Sequence, residues 1–238
     1  MPTVLDDRFA VPLYTVAEAA RHLGVPTSTF TTWAHGYLRH PAGRRPVVGQ
    51  PIVTTVGDSR SAVVPFVGLA EGLVLAAFRR AGVPLQRIRP AIERLQDELG
   101  FAHALASRSL YTDGAEVLYD YAEQAADSPE ARSARELVVV RYGQRVFADV
   151  IDAYLRRVDF ASDGYARLIR LPEYAAGEVV VDARRCFGQP IFSRGGARVE
   201  DVLARFQAGE PLSAVSDEFG VPVEDLEDAL RVATRHAA

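Results

Sequence analysis

The chain contains no lysine. All 27 of its basic residues are arginines, set against 31 acidic residues in a sequence of 238. Without a lysine amino group the chain cannot form a Schiff base with pyridoxal phosphate, and it cannot supply the lysine of a phosphate-binding loop. This absence excludes several classes of enzyme.

Cysteine and long apolar runs are also scarce. Cys186 is the only cysteine, so an intrachain disulfide is impossible, and no cysteine or histidine pair has the spacing of a metal site. No stretch reaches the ~18 uninterrupted apolar residues of a membrane span, and the first residues do not resemble a signal peptide. We therefore expect a cytoplasmic protein with no membrane association and no metal or other cofactor.

Motifs of common enzyme classes are missing as well. The sequence contains no Gly-x-Gly-x-x-Gly, His-Glu-x-x-His or Gly-x-Ser-x-Gly, and its five histidines form no ligand pair at helical spacing. No pair of carboxylates stands out, although scattered ones could still converge in the fold. We expect no catalytic residues and no enzyme activity.

Composition and charge suggest two parts with different partners. The chain is 48% hydrophobic and 24% charged, as in ordinary globular proteins, and its length favours two domains, which we place at residues 1–100 and 101–238. The net charge of −4 divides into +3 for the first part and −7 for the second. The first part suits a polyanion and the second does not.

A helix-turn-helix is predicted near the start of the chain. Thr15 and Glu18 have the spacing of a capping box, which places a helix start at Val16, and Gly24 ends that helix. Pro26 opens a second helix that runs to about His35. The sequence thus predicts two helices joined by a tight turn.

The second helix has one apolar and one hydroxyl-rich face. Phe30 and Trp33 are three residues apart and should pack inward. The opposite face carries no acidic residue and could approach DNA; its members are Thr27, Ser28, Thr31, Thr32 and His35. Two short helices at a sharp angle also occur in proteins that never bind nucleic acid, so this segment alone leaves both readings open.

A basic hairpin is predicted after the second helix. Glycines and prolines punctuate the β-branched runs at residues 47–48 and 52–56, as in the wing of a winged helix. Arginines here would neutralise phosphates and fix the register on DNA; they are Arg39, Arg44, Arg45 and Arg60. The alternative is a solvated turn with incidental charge.

Further helices and strands follow. An apolar helix is predicted from Phe66 to Gly82. Apolar residues at helical spacing then form a stripe over residues 85–99, interrupted by Pro90, which belongs either to the core or to a dimer interface. We predict a hairpin over residues 105–119, a loop or weak helix at 124–135, and a strand at 137–140. A helix is predicted at 146–158. Strands at 167–171 and 178–181 then complete a small mixed sheet.

The periodicity of the last forty residues predicts three helices, arranged like a helix-turn-helix, with acidic surfaces. Nine carboxylates and one arginine lie between Val199 and Asp228, a charge that would repel DNA and suit a protein partner. The candidate interaction residues are Glu224, Asp225, Glu227 and Asp228. Acids at a helix start also complement the helix dipole, which explains some of them equally well. The expected class is α+β, mostly helical, with an N-terminal winged helix-turn-helix, a central β platform and this three-helix module.

Several segments resemble known families. Residues 14–20, 24–26 and 33, followed by the basic hairpin, resemble the MerR-type winged helix. Residues 66–71, 79–83, 112–114 and 181–190 are similar to VapB-like antitoxins that carry a C-terminal antitoxin-associated domain of unknown function. The resemblance spans nearly the whole chain. It implies a dimeric DNA-binding antitoxin that represses its own operon and neutralises a PIN-domain ribonuclease, the VapC-type toxin. Because a single short recognition helix offers few base contacts, we expect a homodimer that binds an inverted repeat in operator DNA.

Two alternatives remain at this point. One is a MerR-like transcriptional regulator whose middle sheet holds a small-molecule effector. The other is a protein-interaction adaptor that does not bind DNA, in which both helical parts contact proteins.

Overall fold

The computed structural model describes residues 6–40, 45–57, 63–82, 89, 103–112, 154–175 and 178–237. These residues form helices, two sheets of two strands and one sheet of four, in agreement with the predicted α+β class. In the described part of the chain, no helix is both long enough and apolar enough to cross a membrane.

The N-terminal half contains the predicted helix pair. Its elements are α1 (Asp7–Ala10), β1 (Pro12–Tyr14), α2 (Val16–His22), α3 (Thr27–His35), β2 (Tyr37–Arg39), β3 (Val47–Gly49), β4 (Val64–Pro65) and α4 (Phe66–Arg80). The capping box is confirmed, because the backbone N–H of Glu18 donates to Thr15 Oγ1 at 3.1 Å and the Thr15 N–H donates to the Glu18 carboxylate at 2.7 Å. Local sequence signals therefore set the start of α2.

Helix α4 forms the centre of this half. It is buried on nearly every side, as its broad apolar stripe predicts, and it follows directly from β4, which pairs with β1 in antiparallel fashion. A Cβ at Gly68 would lie 2.3 Å from the carbonyl oxygen of Thr54. The segment after β3 can pass this close to α4 only because position 68 has no side chain.

The C-terminal half contains a four-stranded sheet and three helices. After a 3₁₀ turn at Ala104–Ala106, its elements are α5 (Ser109–Thr112), β5 (Val158–Phe160), β6 (Ala166–Arg170), β7 (Val179–Asp182), a 3₁₀ turn at Cys186–Gly188, β8 (Ile191–Phe192), α6 (Val199–Gln207), α7 (Leu212–Phe219) and α8 (Val223–Ala237). The strands lie in the order β5-β6-β7-β8, and each neighbouring pair is antiparallel. The last three helices lie within the last forty residues, where the sequence predicts three helices.

Two predictions of local structure are wrong. The first strand of the hairpin at 105–119 is instead the 3₁₀ turn and α5, because residues 104–106 are buried on all sides and Ser107 Oγ accepts the Ser109 N–H. Residues 52–56 form no strand, since the N–H groups of Ile52 and Val53 both donate to the Trp33 carbonyl. The described strands of the predicted mixed sheet are antiparallel, and its predicted strand at 137–140 lies outside the described residues, so its mixed character stays a prediction.

Other predictions lie wholly or mostly outside the described residues. They are the stripe at 85–99, the second strand of the hairpin at 115–119, the loop or weak helix at 124–135 and the strand at 137–140. Of the helix predicted at 146–158, the structure describes only the end, which stops at Leu155 before β5 begins.

One continuous hydrophobic core connects the two halves. The buried Tyr14 hydroxyl donates to the carbonyl of Gly188 at 2.8 Å. Arg8, which is also buried, forms ion pairs with Asp6 and Asp163 and donates to the Ala166 carbonyl. The N-terminal helices are therefore packed firmly on the C-terminal sheet.

Candidate nucleic-acid interface

Helix α3 presents the predicted polar face to solvent. Phe30 and Trp33 are buried against the core, together with Ala34. On the other side Thr27, Ser28, Thr31 and His35 are exposed and Thr32 is half-buried. A helix with this division, preceded by a tight turn from α2, has the shape that enters a DNA major groove.

The two middle threonines have a defined hydrogen-bonding role. Thr31 Oγ1 donates to the Thr27 carbonyl at 2.8 Å, and Thr32 Oγ1 donates to the Ser28 carbonyl at 2.9 Å. Because each hydroxyl proton is already used, the oxygens remain available as acceptors. They suit the amino groups of adenine or cytosine, and the methyl groups suit thymine.

A rigid junction joins α3 to the hairpin of β2 and β3. Gly36 ends α3 with a φ of +72°, and a Cβ there would lie 2.2 Å from the carbonyl oxygen of Gly49. A Cβ at Gly49 would lie 2.3 Å from the Tyr37 ring. Both positions therefore require glycine, and the wing is held at a fixed angle to the helix.

Of the four arginines predicted for the wing, the structure describes Arg39 and Arg45. Arg39 stacks on the Tyr37 ring, 5.0 Å from its centroid, and Arg45 is exposed. Arg89 lies 5.8 Å from the centroid of the same ring and donates to the Gln50 carbonyl. Arg44 and Arg60 lie outside the described residues. Arg89 was not predicted as a wing residue, because its distant position in the sequence gives no sign of this contact.

Charge on α3 and the wing is of one sign as far as Gly57, and Asp58, which lies outside the described residues, is the one carboxylate in the sequence between Thr27 and Ser61. From Thr27 to Gly57 the sequence contains arginines and histidines but neither aspartate nor glutamate. We call the described side chains of this region the α3–wing surface, namely Thr27, Ser28, Thr31, Thr32, His35, Arg39 and Arg45. Such a surface attracts phosphates without local repulsion.

A buried carboxylate supports the wing from below. Glu71 of α4 accepts the Thr54 N–H at 2.6 Å and the Thr54 hydroxyl at 3.0 Å, and it lies 3.1 Å from His103 Nδ1. Thr54 closely follows the residues that bond to the Trp33 carbonyl at the end of α3. Glu71 therefore fixes the segment that returns from the wing, a role the sequence did not indicate.

The candidate acidic residues of α8 do not form one exposed face. Glu224 and Glu227 are exposed, whereas Asp225 and Asp228 are only 1% and 5% exposed. Asp225 accepts two bonds from Arg194 Nη2, at 2.9 and 3.0 Å. In this conformation only Glu224 and Glu227 are available to a partner, and their role stays a prediction.

Arginines also neutralise much of the charge on the last three helices. Arg198 pairs with Glu200 at 2.5 Å, Arg205 with Glu210 and Glu218, and Arg231 with Glu227 at 2.8 Å. The surface is therefore less negative than the nine carboxylates suggest. The Glu227–Arg231 pair has the i, i+4 spacing of a helix and could have been found from the sequence.

His22 of α2 packs beside the buried Tyr14. His22 packs edge-on against the Tyr14 ring at 5.6 Å, and burial lowers its pKa to about 4, an effect that the neighbouring Glu18 carboxylate opposes. His22 is therefore neutral near pH 7. It belongs to the packing of α2 and lies away from the exposed face of α3.

Two family models match parts of the chain. Residues 12–92 match a family described as "Putative DNA-binding HTH domain", which covers α2, α3, the wing and α4. Residues 179–233 match a "Protein of unknown function (DUF433)", which covers β7 to most of α8.

A curated protein and a solved structure from Mycobacterium tuberculosis are similar to this chain. The chain is 51% identical over 229 residues to a protein of strain ATCC 25618 / H37Rv named "Putative antitoxin VapB45", with 95% of each chain covered. It is also similar to the crystal structure of Rv2018, with 47% identity, a TM-score of 0.78, and coverage of 94% of this chain and 99% of the other.

Proposed function

The chain belongs to the family of VapB-like antitoxins, and from this premise we propose that it is the DNA-binding antitoxin of a type II toxin–antitoxin pair. It represses its own operon and neutralises a PIN-domain ribonuclease of the VapC type. The observation that carries the DNA-binding half is the α3–wing surface, whose polar and cationic side chains face solvent with no carboxylate in the segment. The toxin-binding half rests on the relative named as an antitoxin.

Each part of the α3–wing surface has its own role on DNA. Helix α3 lies in the major groove in the manner of a MerR-type winged helix, where the oxygens of Thr31 and Thr32 accept from base amino groups. Arg39 and Arg45 contact phosphates beside the groove and fix the register, as do Arg44 and Arg60. Thr27, Ser28 and His35 contact the backbone or base edges around the helix.

One copy of this surface offers few base contacts. A homodimer with two-fold symmetry doubles them and binds an inverted repeat whose half-sites are about one helical turn apart. The winged domain covers residues 1–100. The β platform and a C-terminal module of helix-turn-helix shape cover residues 101–238 and supply the toxin contacts, including Glu224 and Glu227. All of this takes place in the cytoplasm.

DNA binding is tested by the salt dependence of affinity. Fluorescence anisotropy with the DNA upstream of the gene is measured between about 50 and 200 mM salt for the wild type and for Arg39→Ala/Arg45→Ala. Loss of two phosphate contacts per subunit, four per bound dimer, should lower the slope of log affinity against log salt by about 3.6, at roughly 0.9 per contact. A matched control, Arg167→Ala/Arg231→Ala, removes two exposed arginines from the other half and should leave the slope unchanged. Equal slopes for the wild type and the wing variant contradict the assignment.

Base reading is tested separately. Thr31→Val and Thr32→Val keep the side-chain shape but remove the acceptor oxygen. They should weaken binding to the upstream DNA more than binding to a random duplex of the same length. If both affinities fall equally, these threonines do not read bases.

A regulator with a small effector is the second candidate. One feature favours it: a cleft of about 630 Å³ between α2, α6 and α8, lined by Arg21, His22, Arg198 and His236 among others. A cleft of this size matches small-molecule sites. Unchanged ribonuclease activity of the toxin in the presence of the chain, together with tight DNA binding, would favour this alternative.

A further inference from the structure

The turn between β7 and β8 has an unusual backbone. Cys186, Phe187 and Gly188 follow one another with φ values of +46°, +53° and +72°. Only glycine adopts this left-handed region freely, and a phenylalanine there is a rare and strained exception. Bonds from Gly188 N to the Arg185 carbonyl and from Gln189 N to the Cys186 carbonyl, both 2.9 Å, close the turn.

This strained backbone displays a phenyl ring to solvent. Phe187 is 86% exposed, the largest value of any large hydrophobic residue in the part of the chain that the structure describes. The ring gains almost no burial within the monomer, so packing does not compensate for the strain. Strain of this kind persists at sites where another molecule uses the displayed group.

The turn has a rigid support. Its Gly188 carbonyl accepts the hydroxyl of the buried Tyr14, and a Cβ at Gly188 would lie 2.7 Å from that hydroxyl oxygen. The phenyl ring is therefore presented by a backbone fixed to the core. A preorganised aromatic side chain loses little entropy on binding.

The charges beside the ring favour a protein partner over DNA. Arg184 and Arg185 are exposed, and neither has an ion pair within 4.0 Å among the described residues. The Asp182 carboxylate accepts the Arg184 backbone N–H at 2.9 Å, so an acid lies beside the two arginines. This distinguishes the turn from the α3–wing surface, whose described side chains include no carboxylate.

We propose that Phe187, flanked by Arg184 and Arg185, is the anchor of a protein-binding site that takes an apolar pocket bordered by carboxylates. The inference rests on the proposed function, under which the partner is the PIN-domain toxin. A second copy of the chain fits less well, because a two-fold contact at this turn would bring the arginines of both copies together. Aromatic and arginine side chains in this arrangement are typical of binding hot spots.

The test measures binding of the purified PIN-domain toxin to the full-length chain by calorimetry. Phe187→Ala should weaken binding by about 30-fold or more, the threshold of a hot spot. Arg184→Ala/Arg185→Ala should weaken it as well and reduce its salt dependence. The control Leu38→Ala removes an exposed apolar side chain from ordinary strand backbone in β2, in the DNA-binding half, and should change the toxin affinity less than twofold.

A second variant separates the ring from the turn that carries it. Cys186→Gly keeps Phe187 and replaces one strained residue by glycine, so it should raise the urea midpoint of unfolding and leave toxin affinity unchanged. Phe187→Gly should also raise the urea midpoint while losing toxin binding. This combination shows that lost binding does not come from lost folding.

Three outcomes overturn the inference. The first is wild-type affinity of Phe187→Ala for the toxin. The second is a Phe187→Ala variant that binds the toxin normally but no longer forms a dimer in light scattering, which identifies a self-interface. The third is a Phe187→Ala variant that binds the toxin normally but loses affinity for the upstream DNA, which identifies a DNA contact. If the wild type itself does not bind the toxin, the proposed function fails first, which distinguishes the two failures.

Discussion

Replacement of Glu71 tests the account of how the wing is held in place. Its carboxylate is 4% exposed and accepts two bonds from Thr54, the shorter one from the backbone N–H at 2.6 Å. In Glu71→Ala the N–H of the half-buried Thr54 loses a charge-assisted bond and the Thr54 hydroxyl loses a second one, which together cost about 2–4 kcal/mol. At roughly 2–4 °C per kcal/mol for a chain of this size, the melting temperature should fall by about 4–16 °C.

Glu71→Gln provides the matched comparison. The amide oxygen can still accept the Thr54 N–H, and the NH₂ group can donate to the Thr54 hydroxyl or to His103 Nδ1, because both of these atoms can accept. Only the contribution of the charge is lost, so a cost of about 1 kcal/mol is expected.

Both variants are measured by urea unfolding and by anisotropy on the upstream DNA. Glu71→Ala should weaken DNA binding more than Glu71→Gln, since Thr54 positions the segment that returns from the wing. The reasoning is refuted if Glu71→Ala is as stable as the wild type, or if the two variants lose equal stability. It also fails if Glu71→Ala is clearly destabilised but binds DNA as the wild type does.

Two further predictions concern α2 and α4. Because burial lowers the pKa of His22 to about 4 from 6.5, the unfolded chain binds the proton more tightly, so the free energy of unfolding should fall by about 3 kcal/mol as the pH drops from about 6.5 to about 4. His22→Gln should flatten urea midpoints over this range, and an unchanged pH profile contradicts the assignment. Gly68→Ala places a Cβ 2.3 Å from the Thr54 carbonyl oxygen and should lower stability by about 2 kcal/mol in the same urea assay, despite the better helix propensity of alanine. A stabilised variant would refute this close approach.

Local signals in the sequence predict the helix pair well. The capping box of Thr15 and Glu18 and the three-residue spacing of Phe30 and Trp33 depend only on neighbours along the chain, and the structure has both. Helices α6, α7 and α8 follow from the same kind of periodicity, and prolines mark the starts of α7 and α8. Patterns of this type survive because tertiary contacts reinforce them.

Short apolar runs and buried acids are harder to predict. Residues 104–106 are buried on all sides, so they show no alternation that could separate a strand from a helical turn. Asp225 is buried because Arg194, 31 residues earlier, reaches its carboxylate. Neither outcome is visible without the fold.

The exposed turn depends on backbone conformation. Cys186 and Phe187 adopt positive φ, although residues of these types rarely do so, and no local motif announces it. The partial neutralisation of the acidic helices is equally non-local, because Arg205 pairs with Glu218 across two helices. The exposed surface of these helices is therefore less negative than a count of their carboxylates predicts.

Titration of the PIN-domain toxin with the full-length chain tests the antitoxin claim most directly. Cleavage of an RNA substrate by the purified toxin is measured as the chain is added. The account predicts that cleavage falls in proportion to added chain and stops at a fixed stoichiometric ratio, with Phe187→Ala requiring a much larger excess. Cleavage that continues at the same rate in a large excess of folded wild-type chain would contradict it.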